Sequence, residues 1–294
     1  MRQAEILRSL IRSGDMLIAP GAFDGMSAKC VEQAGFSAVY MTGAGTAAAL
    51  GYPDFGLVTL TEMAGNAGTL ARSVEIPVIA DADTGFGNEL NVTRAIRDYE
   101  MRGVAAVHVE DQVMPKRCGH LDDKEIVSRE EFTAKIKAAV AARRDPDFMI
   151  IARSDAGAVV GLDEAIARVN LAIDAGADMA FVEAARSLDD LAAIPQRVKG
   201  PCLLNVVRGG KTPDVDFATA RSMGYRLAIL PSLLLIAAWD AFDLALRGVR
   251  ETDAPPSSAG SLPVAERFRR LGADEWLDVG RRFRTASPSR EAAE

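Results

Sequence analysis

Eight short, β-prone apolar segments alternate with segments of helical period along the 294-residue chain, and this repeat constrains the fold more than any other feature. The apolar segments lie at residues 16–19, 38–42, 78–81, 106–109, 149–152, 179–182, 202–205 and 226–230. Several of the helical segments between them end at a glycine, which suits a left-handed C-cap. These glycines are Gly35, Gly103, Gly176, Gly200 and Gly224. Eight βα units of this spacing most simply close into a (β/α)₈ barrel of the TIM type, an α/β fold.

A doubly wound open sheet is the alternative way to arrange alternating strands and helices. Its dinucleotide-binding members carry a Gly-x-Gly-x-x-Gly sequence after the first strand, and no such sequence follows residues 16–19 here. Gly43-Ala44-Gly45, after the second segment, is only a weak imitation of that motif. The barrel is therefore the predicted fold.

The composition changes near Arg250, which predicts a catalytic barrel domain at residues 1–250 and a linker with a C-terminal helical arm at 251–294. Residues 251–261 contain the proline and serine typical of a linker. A helical segment over 264–283 then carries three large aromatic side chains, Phe268, Trp276 and Phe283. These aromatics are expected to dock either on a neighbouring subunit or back on their own barrel. Residues 285–294 are predicted to be disordered.

Composition and charge exclude several classes of partner. The net charge is −7 and no basic block stands out, so neither nucleic acid nor an anionic membrane surface is an expected partner. The three cysteines, Cys30, Cys118 and Cys202, have no paired spacing, and the N-terminus lacks a signal-peptide apolar run, which predicts a reducing cytoplasm. The longest apolar stretch, 227–239, is shorter than the roughly 18 residues that a membrane span needs. The expected partner is a small molecule.

A block at residues 115–120 concentrates reactive and cationic side chains, namely Lys116, Arg117, Cys118 and His120. Cations beside a cysteine favour the thiolate, so Cys118 is predicted to exchange protons near neutral pH. The three basic side chains are predicted to hold anionic substrate groups. A charged surface turn with an incidental cysteine is the alternative interpretation. The polar loop 112–123 is also expected to close over the site and exclude water.

Polar residues follow the predicted strands, and in a barrel the carboxyl ends of all strands meet at one mouth where active sites form. Strand two ends at Thr42, Gly43 and Ala44, small residues whose backbone N–H groups suit a carboxylate or a phosphate. Three later strands end with Arg153, Glu183 and Asn205, respectively. The predicted active site therefore lies at this mouth.

Three carboxylates form a second cluster at the same mouth. Asp81 and Asp83 end strand three and Glu110 ends strand four. Residues i and i+2 of a strand share a face, so both aspartates are predicted to point into the mouth. Converging carboxylates repel unless a cation lies among them, and oxygen ligands favour Mg²⁺ or Mn²⁺ over Zn²⁺. Capping of the following turn and helix is the alternative role. Asp54 is predicted to be either a gating residue or an ordinary turn residue.

Several motifs recur in this order in one enzyme superfamily. They are Thr42-Gly43-Ala44-Gly45, Asp81-Ala82-Asp83-Thr84-Gly85-Phe86-Gly87, His108-Val109-Glu110-Asp111-Gln112, Lys116-Arg117-Cys118-Gly119-His120, Ala152-Arg153-Ser154-Asp155-Ala156 and Asn205. Over about residues 18–231 the chain thus resembles the isocitrate lyase/phosphoenolpyruvate mutase superfamily, in its methylisocitrate lyase and dimethylmalate lyase-like branch. The resemblance implies a (β/α)₈ barrel whose last helix is swapped between subunits, in dimers paired into homotetramers.

The same resemblance implies a Mg²⁺-dependent carbon–carbon lyase, with Mn²⁺ as an alternative metal. A 2-hydroxy acid loses its hydroxyl proton, the neighbouring C–C bond breaks, an α-keto acid leaves, and the other fragment departs as an enolate that a cysteine protonates. The family's roles fall on the following positions: Cys118, Lys116, Arg117, His120 and Arg153 as catalytic residues; Thr42, Gly43, Ala44, Asp54, Gly119, Glu183 and Asn205 as substrate-binding residues; Asp81, Asp83 and Glu110 as metal ligands.

Departures from the family pattern bear on the substrate. Methylisocitrate lyases carry Asn-Ile-Thr-Glu-Phe-Gly after strand seven and an arginine after strand eight, whereas this chain has residues 205–213 as NVVRGGKTP and an apolar run near Ile236. A third substrate carboxylate would lose one cationic partner, which Arg208 would partly replace. The Gly-Gly-x-Thr-Pro form is similar to that of lyases acting on 2-alkylmalates, so a 2-hydroxy dicarboxylate with a small apolar branch is predicted.

Four alternatives stay open. Methylisocitrate is the nearest competing substrate. Carboxyphosphonoenolpyruvate mutases and oxaloacetate hydrolases or decarboxylases share the scaffold. A carboxylate-binding protein without catalysis would not need Cys118.

Overall fold

The computed structural model describes residues 2–252, 254 and 262–284. Most of the predicted linker, including 255–261, lies outside the described residues, and so does the whole segment 285–294 for which disorder was predicted.

Eight parallel strands close into a barrel in sequence order, which confirms the predicted fold. The strands are β1 (Leu17–Ala22), β2 (Val39–Met41), β3 (Val78–Asp81), β4 (Ala106–Glu110), β5 (Met149–Ser154), β6 (Met179–Val182), β7 (Cys202–Asn205) and β8 (Leu227–Leu230). The predicted segments match these strands to within a few residues at their ends, and β1 pairs with β8 to close the ring.

The helices of the described chain begin at side-chain caps in most of the βα units. They are α1 (Gln3–Arg12), α2 (Gly25–Gln33), α3 (Gly43–Ala49), α4 (Leu60–Ser73), α5 (Glu89–Met101), α6 (Arg129–Ala142), α7 (Ala156–Val159), α8 (Leu162–Asp174), α9 (Leu188–Arg197), α10 (Phe217–Met223), α11 (Leu233–Thr252), α12 (Val264–Arg270) and α13 (Ala273–Phe283). Thr59 and Glu62 form a capping box at α4, and Ser128 caps α6. Gly224 is the left-handed C-cap of α10, as predicted. The prediction for Gly200 was wrong, because α9 ends at Arg197 with Val198 extended.

The strand residues alternate between two environments. On β4, Val107 and Val109 face the surrounding helices, where they join a core that includes Ile96. Ala106 faces the interior, whose lower layers are packed with apolar side chains such as Ile151. The upper interior layer is polar instead. This change of character along the barrel axis places the charged residues at the carboxyl ends of the strands.

The described residues divide into two compact units, with the boundary between Asp240 and Ala241. The first unit ends at Asp240, within α11 and before the predicted boundary at residue 250. The second contains the end of α11 with α12 and α13, and its aromatics Phe268, Trp276 and Phe283 are 62%, 74% and 71% exposed.

Within the described residues, no helix has both the length and the hydropathy needed to span a membrane.

Candidate active site

A cavity of about 130 Å³ opens at the carboxyl ends of the strands. Its lining includes ten of the residues predicted from the sequence: Thr42, Ala44, Asp54, Asp81, Cys118, Gly119, His120, Arg153, Glu183 and Asn205. Residues from five strand ends, from the loop between α3 and α4 and from the loop between β4 and α6 thus meet around one space. Gly43, Asp83, Glu110 and Lys116 lie beside the cavity rather than in its lining, while Arg117 is directed elsewhere.

The end of β2 is packed tightly against β3. Thr42 caps the short helix α3 by accepting a hydrogen bond from the Gly45 N–H. Gly43 lies against the carboxylate of Asp81, and a Cβ at this position would collide with Asp81 Oδ2. Only glycine therefore allows this close approach of the β2 turn to the acidic cluster.

The acidic cluster is buried and neutralised by two cations of the protein itself. Asp81, Asp83 and Glu110 are each less than 5% exposed. The Lys116 ammonium lies 2.9 Å from Asp83 Oδ1, and Arg153 Nε lies 3.1 Å from Glu110 Oε2. Burial raises the pKa of Asp83 to about 6 and raises the pKa of Glu110 well above its ordinary value. The cluster therefore carries less negative charge than three free carboxylates would.

The expectation that Asp81 and Asp83 share one face of a strand was wrong. β3 ends at Asp81, and Asp83 lies beyond it with a φ of +46°, in the left-handed region. The backbone turns instead, and Asp81 Oδ1 accepts a hydrogen bond of 2.9 Å from the Asp83 N–H. The two carboxylates consequently reach different partners, His108 for Asp81 and Lys116 for Asp83.

The oxygen atoms of the acidic cluster are of the chemical type that binds a hard cation. Both carboxylate oxygens of Glu110 and Oδ1 of Asp83 are buried without a well-aligned hydrogen bond, although Arg153 approaches Glu110 Oε2 and Lys116 approaches Asp83 Oδ1. Buried oxygens with unfilled lone pairs are the ligands that Mg²⁺ and Mn²⁺ prefer. Within the described ranges, no three His, Cys, Asp or Glu side chains are arranged as a metal-ligand cluster.

Lys116 is a buried anchor of the loop between β4 and α6. Its ammonium lies 2.5 Å from Asp54 Oδ1 as well as close to Asp83, and its side chain is only 3% exposed. Asp54, which lines the cavity, is thus paired with the loop between β4 and α6 through Lys116. Arg117, in contrast, is half exposed and faces Asp123 at 3.8 Å. The prediction that it holds an anionic substrate group in the cavity was therefore wrong.

His120 is held by contacts with Lys211, Glu183 and Asn205. Its Nδ1 accepts a hydrogen bond of 3.0 Å from the Lys211 N–H, which leaves the ring proton on Nε2. Nε2 lies 3.1 Å from Glu183 Oε1. The Asn205 amide nitrogen lies 3.2 Å from both oxygens of Glu183. The imidazole therefore presents a fixed N–H toward a carboxylate that lines the cavity.

Cys118 is half-buried and lines the cavity as a thiol. Burial raises its pKa, and the carboxylates of Asp54 and Glu183 raise it further, against the opposing effects of the His120 backbone N–H and of Arg153. The predicted lowering of the Cys118 pKa toward a thiolate was therefore wrong. Lys116 is paired with two aspartates and Arg117 faces Asp123, so neither cation acts on the thiol as expected. A protonated thiol in a cavity can act as a proton donor.

Arg153 is the central cation of the site. Its Nε lies 2.9 Å from Asp155 Oδ2 and its guanidinium lies 5.0 Å above the Phe181 ring. Gly119 passes so close that a Cβ would lie 2.5 Å from Arg153 Nη2 and 2.6 Å from Glu183 Oε1. The loop thus packs onto the strand ends with its backbone.

Tyr40 and Lys124 were not predicted from the sequence as residues of the site, whereas His108 was named there as part of the strand-four motif. Tyr40 lines the cavity and its hydroxyl lies 2.8 Å from His108 Nε2. Tyr40 lies on β2, two residues before Thr42, which directly follows the strand. Strand alternation would therefore have placed the side chains of both residues on the interior face. His108 is buried, which lowers its pKa to about 4 and keeps the ring neutral. Lys124, which contacts Gly119 and Asp155, carried no signal in the sequence.

One wall of the cavity is apolar. Val207, Ile229, Pro231 and Leu235 line it, whereas Arg208 lines a second cavity of about 660 Å³. The expectation that Arg208 supplies a cation for a third carboxylate was wrong in this structure. The second cavity also contains Ile236, the position near which the family's arginine falls, so neither position places a positive charge against this wall.

Comparison with known sequences places this geometry in a family. The sequence family described as phosphoenolpyruvate phosphomutase matches residues 7–250. The chain is 44% identical to 2,3-dimethylmalate lyase of Eubacterium barkeri, over 92% of this chain and 97% of that protein. It is 43% identical to 2-methylisocitrate lyase of Aeropyrum pernix, over 85% of this chain and 80% of that protein.

Solved structures agree with these relatives. A crystal structure of 2,3-dimethylmalate lyase, a member of the PEP mutase/isocitrate lyase superfamily, matches with a TM-score of 0.92 at 39% identity, over 100% of this chain and 99% of that one. Oxaloacetate acetylhydrolase bound to 3,3-difluorooxalacetate matches at 0.91 and 38% identity, over 95% and 96%. Phosphonopyruvate hydrolase bound to oxalate and Mg²⁺ matches at 0.88 and 31% identity, over 96% and 99%. The resemblance predicted from the motifs is confirmed: the chain belongs to the phosphoenolpyruvate phosphomutase family, within the PEP mutase/isocitrate lyase superfamily.

Proposed function

We propose that this protein is a Mg²⁺-dependent carbon–carbon lyase that cleaves a 2-hydroxy dicarboxylate with a small apolar branch, such as a 2-alkylmalate, into an α-keto acid and a carboxylate. The observation that carries the proposal is the cavity itself. Its lining combines the polar groups of Arg153, His120 and the Cys118 thiol with apolar side chains that include Val207 and Leu235. The similarity to 2,3-dimethylmalate lyase over nearly the whole chain supports the same substrate class.

The substrate's anionic groups would be held by the β2 turn and by Arg153. Thr42 and Ala44 line the cavity, and Gly43 fixes the turn against Asp81. Arg153 is itself held by Glu110 and Asp155, so its guanidinium is oriented before a ligand arrives. Glu183 and Asn205 close the far side together with His120.

Asp81, Asp83 and Glu110 would hold the metal, directly or through water, because their buried oxygens match the ligands of Mg²⁺ and, as an alternative, Mn²⁺. When bound, the metal supplies electrostatic stabilisation of negative charge that develops on the substrate oxygens. The related phosphonopyruvate hydrolase structure contains Mg²⁺ together with oxalate, a dicarboxylate.

The protein's own proton donor in the second half of the reaction would be Cys118. Cleavage leaves one fragment as an enolate, whose carbon must gain a proton before the product leaves. The raised pKa keeps the Cys118 thiol protonated near neutral pH, so the proton is in place when the enolate forms. Cys118, Gly119 and His120 of the loop at 113–125 line the cavity, and Gly119 packs on Arg153, so the thiol would be the nearest proton donor of the loop to an enolate bound there.

The experiment that tests this function is release of keto acid by the purified protein in the presence of Mg²⁺ and after EDTA treatment. The substrates are 2,3-dimethylmalate, other 2-alkylmalates, methylisocitrate, isocitrate and oxaloacetate. Metal-dependent pyruvate release from an alkylmalate is the expected result. If no hydroxy acid reacts, the lyase proposal fails, and carboxyphosphonoenolpyruvate becomes the substrate to assay.

Methylisocitrate lyase and oxaloacetate hydrolase are the competing functions. A tricarboxylate would need a further cation, and Arg153 and His120 are the basic side chains in the described lining of the cavity. Oxaloacetate lacks the branch for which the apolar wall offers contacts, although the acetylhydrolase structure is similar. The same assay separates these functions by which substrate has the highest kcat/KM. The decarboxylases of this scaffold are tested by carbon dioxide release from oxaloacetate.

The proposal includes a homo-oligomer, a dimer of helix-swapped dimers, with residues 1–250 as the catalytic barrel and 251–294 as the linker and arm. The exposure of Phe268, Trp276 and Phe283 supports an arm that docks on a second copy. A tetramer by light scattering that dissociates in Trp276→Asp is the expected result, and a monomeric wild-type protein would contradict it. A cytoplasmic location, supported by the free thiols Cys30, Cys118 and Cys202, completes the proposal.

A further inference from the structure

Lys124 is a buried lysine for which the chemistry described above has no use. Its side chain is 1% exposed, and its ammonium donates to the Gly119 carbonyl oxygen and, at 2.9 Å, to Asp155 Oδ1. Burying an ammonium is unfavourable unless its charge is paired and its N–H groups find acceptors. The two acceptors that meet this requirement belong to different parts of the site. Gly119 lies in the loop at 113–125, which carries Cys118 and is called the cysteine loop below, and Asp155 directly follows β5.

Asp155 gives this contact a rigid base. It follows β5, and its two oxygens accept from Arg153 at 2.9 and 3.3 Å. Its own N–H donates to Asp111 Oδ1 at 2.8 Å, and Ser154 donates to the other oxygen of Asp111 at 2.7 Å. Arg168, from α8, lies 3.3 Å from Asp111. Asp155 is therefore fixed by backbone and side chain before Lys124 reaches it.

Gly119 is the other end of the contact, and it lies between Cys118 and His120. Its carbonyl orientation sets the peptide plane that joins Gly119 to His120 and constrains the backbone that carries the thiol. The residue has little room, because any Cβ would collide with Arg153 and Glu183. A cation that holds the Gly119 carbonyl consequently fixes where the neighbouring side chains point.

We propose that Lys124 is a positioning residue that clamps the Gly119 carbonyl to Asp155 and thereby holds the Cys118 thiol inside the cavity. The catalytic consequence of the clamp rests on the proposed lyase function. The clamp itself is a property of the fold and is open to measurement without any substrate.

The test compares Lys124→Met with Lys135→Met. Lys135 is a second buried lysine, 3% exposed, whose ammonium pairs with Glu131 on its own helix α6, away from the cysteine loop. The readout is the rate at which iodoacetamide alkylates Cys118, measured by mass spectrometry of its peptide and normalised to the exposed Cys30 in the same molecule.

Loss of a charge-assisted hydrogen bond to a buried carbonyl should speed alkylation of Cys118 by about tenfold or more in Lys124→Met. Its kcat should fall by a similar factor with a smaller change in KM, because a displaced thiol delays protonation rather than binding. Lys135→Met should match the wild type in both readouts. A folded Lys124→Met whose Cys118 reacts at the wild-type rate would overturn the proposal.

Lys124→Arg keeps a charge-assisted donor at this position and decides the question should Lys124→Met not fold. Its Cys118 should react at a rate close to that of the wild type, and rapid alkylation in a folded Lys124→Arg would show that the cation does not hold the loop. The clamp and the lyase function fail separately. A wild-type protein inert to every hydroxy acid, with fast alkylation in Lys124→Met, would retain the clamp and overturn the lyase function.

Discussion

The two cavities that share Ser232 differ in how their charged groups are held. In the cavity of about 130 Å³, Arg153 is buried between Glu110 and Asp155. In the neighbouring cavity of about 660 Å³, Arg208 and Asp214 are exposed to solvent. Charges that are fixed and desolvated interact more strongly than charges that water screens. Preorganised charge, rather than cavity volume, therefore identifies the site of chemistry.

The largest effect should come from removing the thiol of the smaller cavity. Cys118→Ser replaces a proton donor with a much weaker acid, so kcat should fall by roughly 10²–10⁴-fold while the fold is kept. Steady-state kinetics on the best alkylmalate, with circular dichroism as the check on folding, measure this. Cys30→Ser, at an exposed position on α2, is the matched control and should be neutral. Wild-type turnover by Cys118→Ser would remove the cysteine from the mechanism.

Replacing Arg153 of the smaller cavity or Arg208 of the larger cavity with methionine tests the difference between the two cavities directly. Arg153→Met removes the partner of two buried carboxylates, so kcat/KM should fall by about 10²-fold or more and the free energy of unfolding by about 3–5 kcal/mol. Arg208→Met removes an exposed charge and should change both quantities little. Kinetics and chemical denaturation of both variants measure this. The reverse order of sensitivity would assign substrate binding to the larger cavity.

The apolar walls offer a smaller contrast. Val207→Ala enlarges the smaller cavity at its apolar wall and removes one hydrophobic contact with the substrate's branch. This loss should lower the ratio of kcat/KM for 2,3-dimethylmalate to kcat/KM for malate by about tenfold. Val215→Ala makes the same change in the larger cavity and should leave the ratio unaltered. Competition between the two substrates measures the ratio. An equal effect of both variants would mean that neither wall selects the branch.

The smallest expected effect is on the pH profile. Cys118 acts in its protonated form, so activity is present below its pKa and lost as pH rises through it. Because burial and the nearby Asp54 and Glu183 raise that pKa, this loss should occur on the alkaline side of the ordinary cysteine range. The pH dependence of kcat, read beside the pH dependence of Cys118 alkylation, measures it. A loss of activity near neutral pH that follows the alkylation of Cys118 would contradict the buried thiol.

Much of the fold and the position of the site were predictable because both depend on periodicity. Alternating apolar segments fixed the strands, and the barrel then brought residues as distant as Thr42 and Asn205 to one mouth. The orientation of individual side chains was not predictable. Asp83 left the face of Asp81 because its backbone turns through a positive φ after β3 ends.

Proximity in sequence was also a poor guide to electrostatics. Lys116 and Arg117 lie beside Cys118 in the chain, yet one is bound to Asp54 and Asp83 and the other faces Asp123. The pKa of a thiol depends on burial and on charges within a few ångströms, which only the folded loop sets. Lys124 escaped notice for the same reason, since its partners Gly119 and Asp155 come together through the fold.

The sequence by itself determined the barrel, its family and most of the polar residues at the strand ends, because these follow from local periodicity and from motifs in order. Only the tertiary structure decided that Cys118 is a thiol, that Arg208 lies outside the smaller cavity and that Lys124 joins the cysteine loop to β5. Those properties arise from desolvation and from contacts between residues far apart in the chain, and neither is written in the local pattern.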